Sequence, residues 1–400
     1  MKKLGVVIMS ILISSGMYAN TIRMTSYESV KQKAMGGTTL LSEANESALV
    51  SNPALLNEID KWEINILGIG VSIPTDISDT VNGITSMLDD LDGLNDINEV
   101  ENVLNAYLTG TSTGTYNKNG YKLEDKRLVI DINQAIAFVK KNFGVGEFTS
   151  VSINDFRLIN NNSNTEVTAD IGGTVQIPVG MAFDFGKKNQ YVFGTSIKAV
   201  GGANATAIAN ASDIVAENSS IPYTVEAYKG VALDLGSIWR TNYLNYAMTV
   251  SNAFSSLNVV TKTGDNGVEV KTNGEFPLSV NLAISNKYDR KDRLDKWWDK
   301  HAFWTLELKN ITNEDINADG KKDNEFDKKI HFGASTMVFN NNWIKLDLRA
   351  GINQSHPTFG FGTEMFSFLN LDYAYGTRAF ESEAGTKEET LHSLTVDFRL

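Results

Sequence analysis

Apolar and polar side chains alternate along most of this chain after residue 145, in segments of about ten residues, the length a tilted strand needs to cross a bilayer. In Leu394-Thr395-Val396-Asp397-Phe398-Arg399-Leu400, the four apolar residues share one face and Thr395, Asp397 and Arg399 the other. Leu346, Leu348 and Ala350 likewise oppose Lys345, Asp347 and Arg349, and Trp304, Leu306 and Leu308 oppose Thr305, Glu307 and Lys309. Upstream, Val179, Met181, Phe183 and Phe185 alternate with Ala182 and Asp184, Val231, Leu233 and Leu235 with Ala232 and Asp234, and Leu278, Val280, Leu282 and Ile284 with Ser279, Asn281 and Ser285. Near the end, Leu369, Leu371, Tyr373 and Tyr375 oppose Asn370 and Asp372. Charges keep to one face throughout.

Two stretches break this period. Residues 76–108 place Ile77, Val81, Ile84, Leu88, Leu91, Leu94, Ile97, Val100, Val103, Leu104 and Leu108 at helical spacing with acidic residues between them. Residues 131–143 repeat the effect with Ile132, Ala135, Ile136, Val139 and Lys140. Both read as amphipathic helical insertions between strands, lying in a loop or against a barrel mouth.

A soluble sandwich would alternate as well, with its polar face in water. Aromatic clustering near strand ends (Trp239, Tyr243, Tyr246, Trp297, Trp298, Phe303, Trp304) and turns rich in Asn, Asp and Gly favour a membrane barrel. The expected fold class is all-β, a transmembrane antiparallel β-barrel of about fourteen strands, since a closed barrel is the non-helical structure that satisfies its backbone in lipid. Past residue 20 no apolar run is long enough for a transmembrane helix.

The first residues carry Lys2 and Lys3, an apolar run from Leu4 to Ile13, and small residues before Ala19. That is the layout of a secretory signal peptide, residues 1–19, and predicts export; an uncleaved anchor would need a longer apolar run. The division then expected is a segment at 20–60 followed by a barrel from 61 to 400. The chain has no Cys, so strand pairing and burial hold it together. A net charge of -12 argues against nucleic acid as a partner.

Gly36 and Gly37 permit a tight turn or a close backbone approach, and Asn52-Pro53 reads as a turn initiator, or as the end of a short helix, before the first strand. The run Val30-Lys31-Gln32-Lys33-Ala34-Met35-Gly36-Gly37-Thr38-Thr39, followed by Glu43-Ala44-Asn45-Glu46-Ser47-Ala48-Leu49-Val50-Ser51-Asn52-Pro53-Ala54-Leu55-Leu56, resembles the opening of FadL-type outer-membrane proteins. Arg349-Ala350-Gly351-Ile352, Pro357-Thr358-Phe359-Gly360-Phe361-Gly362 and Leu371-Asp372-Tyr373-Ala374-Tyr375 are similar to the final hairpins of that group. The resemblance extends to PorV-like and TraF-like plasmid-transfer barrels, and the helical insertion after the first strand favours the TraF-like branch. It implies an N-terminal hatch inside the barrel, with Gly36, Gly37, Asn52 and Pro53 as its motif. It also implies an outer-membrane location and a passive route for hydrophobic small molecules such as long-chain fatty acids. The alternative is a non-transporting scaffold in secretion, conjugation or surface attachment. Lipid is the expected surrounding; the sequence leaves protein partners open.

Asp315, Asn317, Asp319 and Asp323 fall at positions 1, 3, 5 and 9 around Gly320, the spacing of a calcium loop. Position 12 is Phe326, which removes the usual bidentate ligand, so the loop reads as a plain Asx-rich turn or a weak structural calcium site. His301, His331, His356 and His392 have no nucleophile or metal partner at a recognisable spacing, and the expectation is no enzyme and no cofactor. The alternating charges are expected to pair inside the barrel.

Overall fold

The computed structural model describes residues 27–400 apart from 43, 125, 162–163, 187–189, 216–222, 265–266, 268, 287–301, 313–314, 317–321, 324–325, 342 and 383–384. The expected signal peptide, Trp297, Trp298 and His301 lie outside the described residues. A short helix α1 (Val30–Ala34) and two 3-10 turns (Glu46–Leu49, Pro53–Glu58) precede the first strand, β1 (Glu63–Pro74). Helices α2 (Ile77–Leu91) and α3 (Ile97–Thr109) follow. Then come β2 (Ile130–Lys140), β3 (Phe143–Asn161), β4 (Asn164–Phe185), β5 (Tyr191–Asn210), α4 (Ala211–Val215), β6 (Tyr223–Arg240), β7 (Leu244–Thr263), β8 (Val270–Gly274), β9 (Ser279–Asn286) and β10 (Ala302–Leu308). A small hairpin, β11 (Asp315–Ile316) and β12 (Lys322–Asp323), leads to β13 (Ile330–Asn340), β14 (Ile344–Asn353), β15 (His356–Met365), β16 (Leu369–Ser382) and β17 (Gly385–Arg399).

The strands form one antiparallel sheet that closes on itself. β1 pairs with both β2 and β17, and the pairing of β6 with β7 joins the two remaining ends. β8 and β9 share a single position in the wall, one pairing with the upper half of β7 and the other with its lower half. The ring therefore has fourteen positions, as the strand pattern predicts. Alternation decides which side is which: Val175, Ile177, Val179, Met181 and Phe183 of β4 point outward and are exposed, while Thr174, Gln176, Gly180 and Ala182 point inward and are buried. An apolar exterior over a fully paired backbone is what a hydrocarbon environment requires.

At the rim where the start of β1 meets Leu400, strands are joined by turns of two or three residues, at 141–142, 241–243 and 366–368. Asn142 has φ +68° there, and Phe366-Ser367 are both left-handed, with φ +54° and +64°. Exposed aromatics gather at this rim. Trp239 stacks on Tyr191 at 6.3 Å and on Tyr246 at 5.3 Å between ring centres, and Trp343 meets Phe366 at 5.9 Å. This is the arrangement of an interfacial girdle.

The expected insertion at 76–108 is helical, as two helices rather than one. Asp96 caps α3 through Asn98 N and Glu99 N, and Gly110 ends it at φ +76°. The ladder of β4 with β5 has no register break, yet the buried parity of β5 switches from even positions at 192–200 to odd positions at 205–209. At the far end of the barrel, Val167 and its β3 neighbour Leu158 pack with Met87, Val100, Val103, Leu104 and Tyr107. The helices thus cover the far ends of β3 and β4. Burial and the acceptor Asp90, 2.8 Å away, push the Tyr107 hydroxyl pKa well above its usual value. Asn117 ties the following loop down: its side chain donates to Ala106 O (2.8 Å) and Tyr121 O (2.9 Å) and accepts from Tyr121 N (2.8 Å). Asn117→Ala is expected to cost roughly 2–4 kcal/mol locally by stranding those backbone groups. Faster amide exchange confined to residues 106–121, with the strands unchanged, is the measurable outcome.

The second predicted insertion is not helical. Residues 130–140 are β2, with Ile132 and Ile136 outward and exposed and Ala135, Ala137 and Val139 inward and buried. The N-terminal segment covers this stretch from inside, so both faces are apolar, and two apolar faces at period 2 mimic helical spacing.

Candidate functional site

Residues 27–59 pack against inward-facing wall positions on both sides of the ring. Their local structure is capped in sequence. Ser29 and Gln32 form a reciprocal box at α1, Ser29 Oγ accepting from Gln32 N at 3.1 Å and Gln32 Oε1 from Ser29 N at 3.0 Å. Asn52 caps the Pro53–Glu58 turn through Ala54 N (3.1 Å) and donates from Nδ2 to Leu40 O (2.9 Å). Asn52-Pro53 therefore begins a turn; the reading in which it ends a helix is wrong, because Asn accepts at an N-terminus and Pro fits the first position.

Gly36 and Gly37 have φ of +69° and +75° and lie against β13–β15. Gly36 N donates to Thr358 Oγ1 (3.0 Å), His331 Nδ1 donates to Gly36 O (2.9 Å), and Lys309 Nζ donates to Gly37 O. Buried Glu307 accepts from Thr39 N (2.9 Å) and Leu40 N (2.8 Å). Around the closing strands, Arg399 pairs with Glu46 (2.9 Å) and Lys33 Nζ donates to Ser72 Oγ (2.8 Å), which shares a hydrogen bond with Ser393 Oγ at 2.6 Å. Arg240 holds Glu58 and Asn57 from β6. The wall is thinned where backbone meets backbone: a Cβ at Gly194 would strike Pro53 and Ala54, at Gly236 Asn52, and at Gly333 and Gly351 Met35. Beneath these contacts Leu49, Leu55, Leu56 and Ile59 seal against Ala137, Val139, Phe148, Val192 and Ile238.

Some of the charges grouped by alternation pair: Arg349 with Asp347 (2.5 Å) and Asp372 (2.6 Å), and Lys345 with Glu364 (2.6 Å). Glu307 and Lys309 instead hold backbone of the N-terminal segment. His392 is engaged with Tyr373 (2.7 Å). Of the calcium-loop residues, Asp315 and Asp323 are backbone partners in the β11–β12 hairpin, and Asn317 and Asp319 lie outside the described residues. Among the described residues no cluster of three metal-ligating side chains occurs.

The sequence reading missed the feature nearest to a route. Between β8 and β9 the chain leaves the ladder at 275–278, and β7 opposite it carries two surplus residues: Leu233 pairs with Phe254 but Leu235 with Val250. Side chains replace the missing ladder. Ser255 Oγ accepts from Phe276 N (2.9 Å), and Asn252 Nδ2 donates to Pro277 O (3.2 Å). The wall here carries an open cleft of about 390 Å³ lined by Asn252, Phe254, Ser255, Glu275, Phe276 and Leu278. Phe254 points outward at 60% exposure, whereas Phe276 is buried in an apolar cluster with Val200, Tyr228, Ala232, Leu257 and Val259. Tyr228 meets Phe276 edge-on at 5.7 Å. Prolines are tolerated where a ladder is interrupted, so Pro277 was the available signal.

The closed fourteen-position barrel is a fold shared with solved channels. Two forms of the TodX monoaromatic hydrocarbon channel, deltaS2S3 and deltaS2 mutants, match with TM-scores of 0.50 and 0.51 at 13% identity. The alignments cover 94% and 93% of this chain and 98% of each channel. A Pseudomonas aeruginosa FadL homologue aligns over 94% of this chain and 99% of its own at 9% identity, TM-score 0.45. No protein-family model and no curated protein matches the sequence. The resemblance to FadL-type barrels is met at the level of the fold.

Proposed function

We propose that this chain is a passive outer-membrane channel for small apolar solutes, which enter from the far end of the barrel and leave sideways through the interruption at β7 and β8–β9. The observation that carries this is the juxtaposition of that interruption with the inward cluster of Val200, Tyr228, Leu257 and Phe276. The cluster offers a solute a dry surface inside the barrel, and the wall beside it is held by a few side-chain bonds rather than by a ladder. Straight passage is opposed by the sealed N-terminal segment, which serves in this reading as a fixed floor. The fold likeness to channels for monoaromatic hydrocarbons, together with the Tyr228–Phe276 edge-on pair, favours flat aromatic solutes over fatty acids.

The chain has no Cys, so an engineered pair is unambiguous. With Asn252→Cys and Leu278→Cys joined by a short bis-thiol linker, uptake of a monoaromatic hydrocarbon into proteoliposomes is expected to fall to the protein-free rate and to recover on cleavage of the linker. Uptake that is unaffected by the linker overturns sideways release. No uptake by the unmodified protein overturns transport and leaves a scaffold role.

A further inference from the structure

The interruption has a polar brace that the route itself does not need. Lys198 on β5 and Asp234 on β6 both face inward, each with its side chain 2% exposed, with Nζ and Oδ2 at 2.7 Å. Asp234 is enclosed by the two strands whose ladder fails to match: it sits between Leu233 and Leu235, opposite the two surplus residues of β7. Its other oxygen, Oδ1, accepts from Asn252 N at 2.9 Å. Asn252 has φ +54°, a conformation Asn tolerates better than most residues. Its side chain then crosses to Pro277 O. Polar contacts thus run without a gap from Lys198 through Asp234 and Asn252 to Pro277, spanning β5, β6, β7 and the 275–278 break.

We propose that the Lys198–Asp234 pair is the positioning device that holds the β7 lip of the wall interruption in its narrow form. A buried carboxylate is costly without a cation, and Lys198 supplies one. The carboxylate takes the place of the ladder acceptor that the surplus residues remove, and so fixes Asn252 in its left-handed conformation. With the acceptor gone, Asn252 relaxes, its bond to Pro277 goes with it, and the lip moves away from Phe276. The inference deepens the proposed lateral route, but its test reads the lip and not transport, so either can fail alone.

Ala253→Cys in the lip and Ile177→Cys on the outward face of β4 provide two labelling positions in otherwise Cys-free protein. In folded protein in vesicles, Asp234→Ala is expected to raise the rate at which a lipophilic maleimide labels position 253 severalfold and to leave position 177 unchanged. Asp234→Asn keeps an oxygen for Asn252 N and is expected to fall between wild type and Asp234→Ala. Should Asp234→Ala fail to fold, Lys198→Met with Asp234→Asn removes both charges with little change of volume and, because the amide keeps an oxygen for Asn252 N, is expected to raise labelling at 253 at least as far as Asp234→Asn alone. Equal labelling of 253 in wild type and in these variants, or a parallel rise at 177, overturns the proposal.

Discussion

Gly36→Val is expected to drive the N-terminal segment out of the barrel. A Cβ at Gly36 would collide with Phe332 O and would stand 2.5 Å from Ile352 O and 2.7 Å from Ile352 N, all backbone atoms of the paired strands β13 and β14. Such atoms cannot rotate away, and shifting them breaks the ladder. Left-handed backbone adds its own cost for a β-branched residue, so the sum is roughly 3–5 kcal/mol. Gly114→Val separates the two terms, because Gly114 is also left-handed, at φ +79°, but has nothing within 4 Å of its Cβ position. Limited proteolysis reads the result. New cleavage within 27–59 is expected for Gly36→Val and not for Gly114→Val, with the strands protected in both. Equal protection of the segment in both variants would show that the turn is not seated as described.

Glu307→Ala is expected to be the most damaging single change outside the glycines. It removes the acceptor of two buried backbone donors, Thr39 N and Leu40 N, and leaves Lys309 without its neighbouring anion. Two stranded N–H groups cost roughly 2–6 kcal/mol. Glu307→Gln retains one carbonyl oxygen in place and is expected to lose less than half as much. The urea midpoint for loss of the folded, heat-modifiable form gives the order: wild type, Glu307→Gln, Glu307→Ala. Coincident midpoints for the two variants would mean that charge, and not the bonds to 39 and 40, sets the stability.

Alternation made the wall legible because the two faces meet different media. Leu394, Val396 and Phe398 point outward, and Ser393, Thr395 and Asp397 inward, as their period requires. The same rule failed at β2, where the medium inside is the protein's own apolar segment. Gly36, Gly37, Asn52 and Pro53 were recognisable as special backbone positions, but their partners on β13–β15 and β5–β6 stand hundreds of residues away and leave no local trace. The glycines that receive them, Gly194, Gly236, Gly333 and Gly351, were visible at inward parity and went unread. Gln354-Ser355 forms a left-handed turn, φ +50° and +71°, without the usual Asn-Gly signal. The wall interruption was hidden for another reason. A gap is a relation between strands, and Glu275-Phe276-Pro277-Leu278 taken alone reads as an ordinary turn. Lys198 escaped notice because its salience comes from Asp234, on the next strand.

The bonds from Lys33 to Ser72, from Ser72 to Ser393, and from Arg399 to Glu46 all lie where β1 meets β17, the seam between the first and last strands. The segment therefore staples the joint that makes the sheet a ring. Filling and closure become coupled: a chain that has made every strand but β17 keeps the Lys33–Ser72 bond but has an open edge, and a closed ring without its filling holds its seam by the β1–β17 ladder and Ser72–Ser393 alone. Contacts separated by more than 300 residues, such as Gly36 with Thr358, must form in that same step. Assembly then waits on the C-terminus, and the last hairpin acts as the timer for the whole barrel.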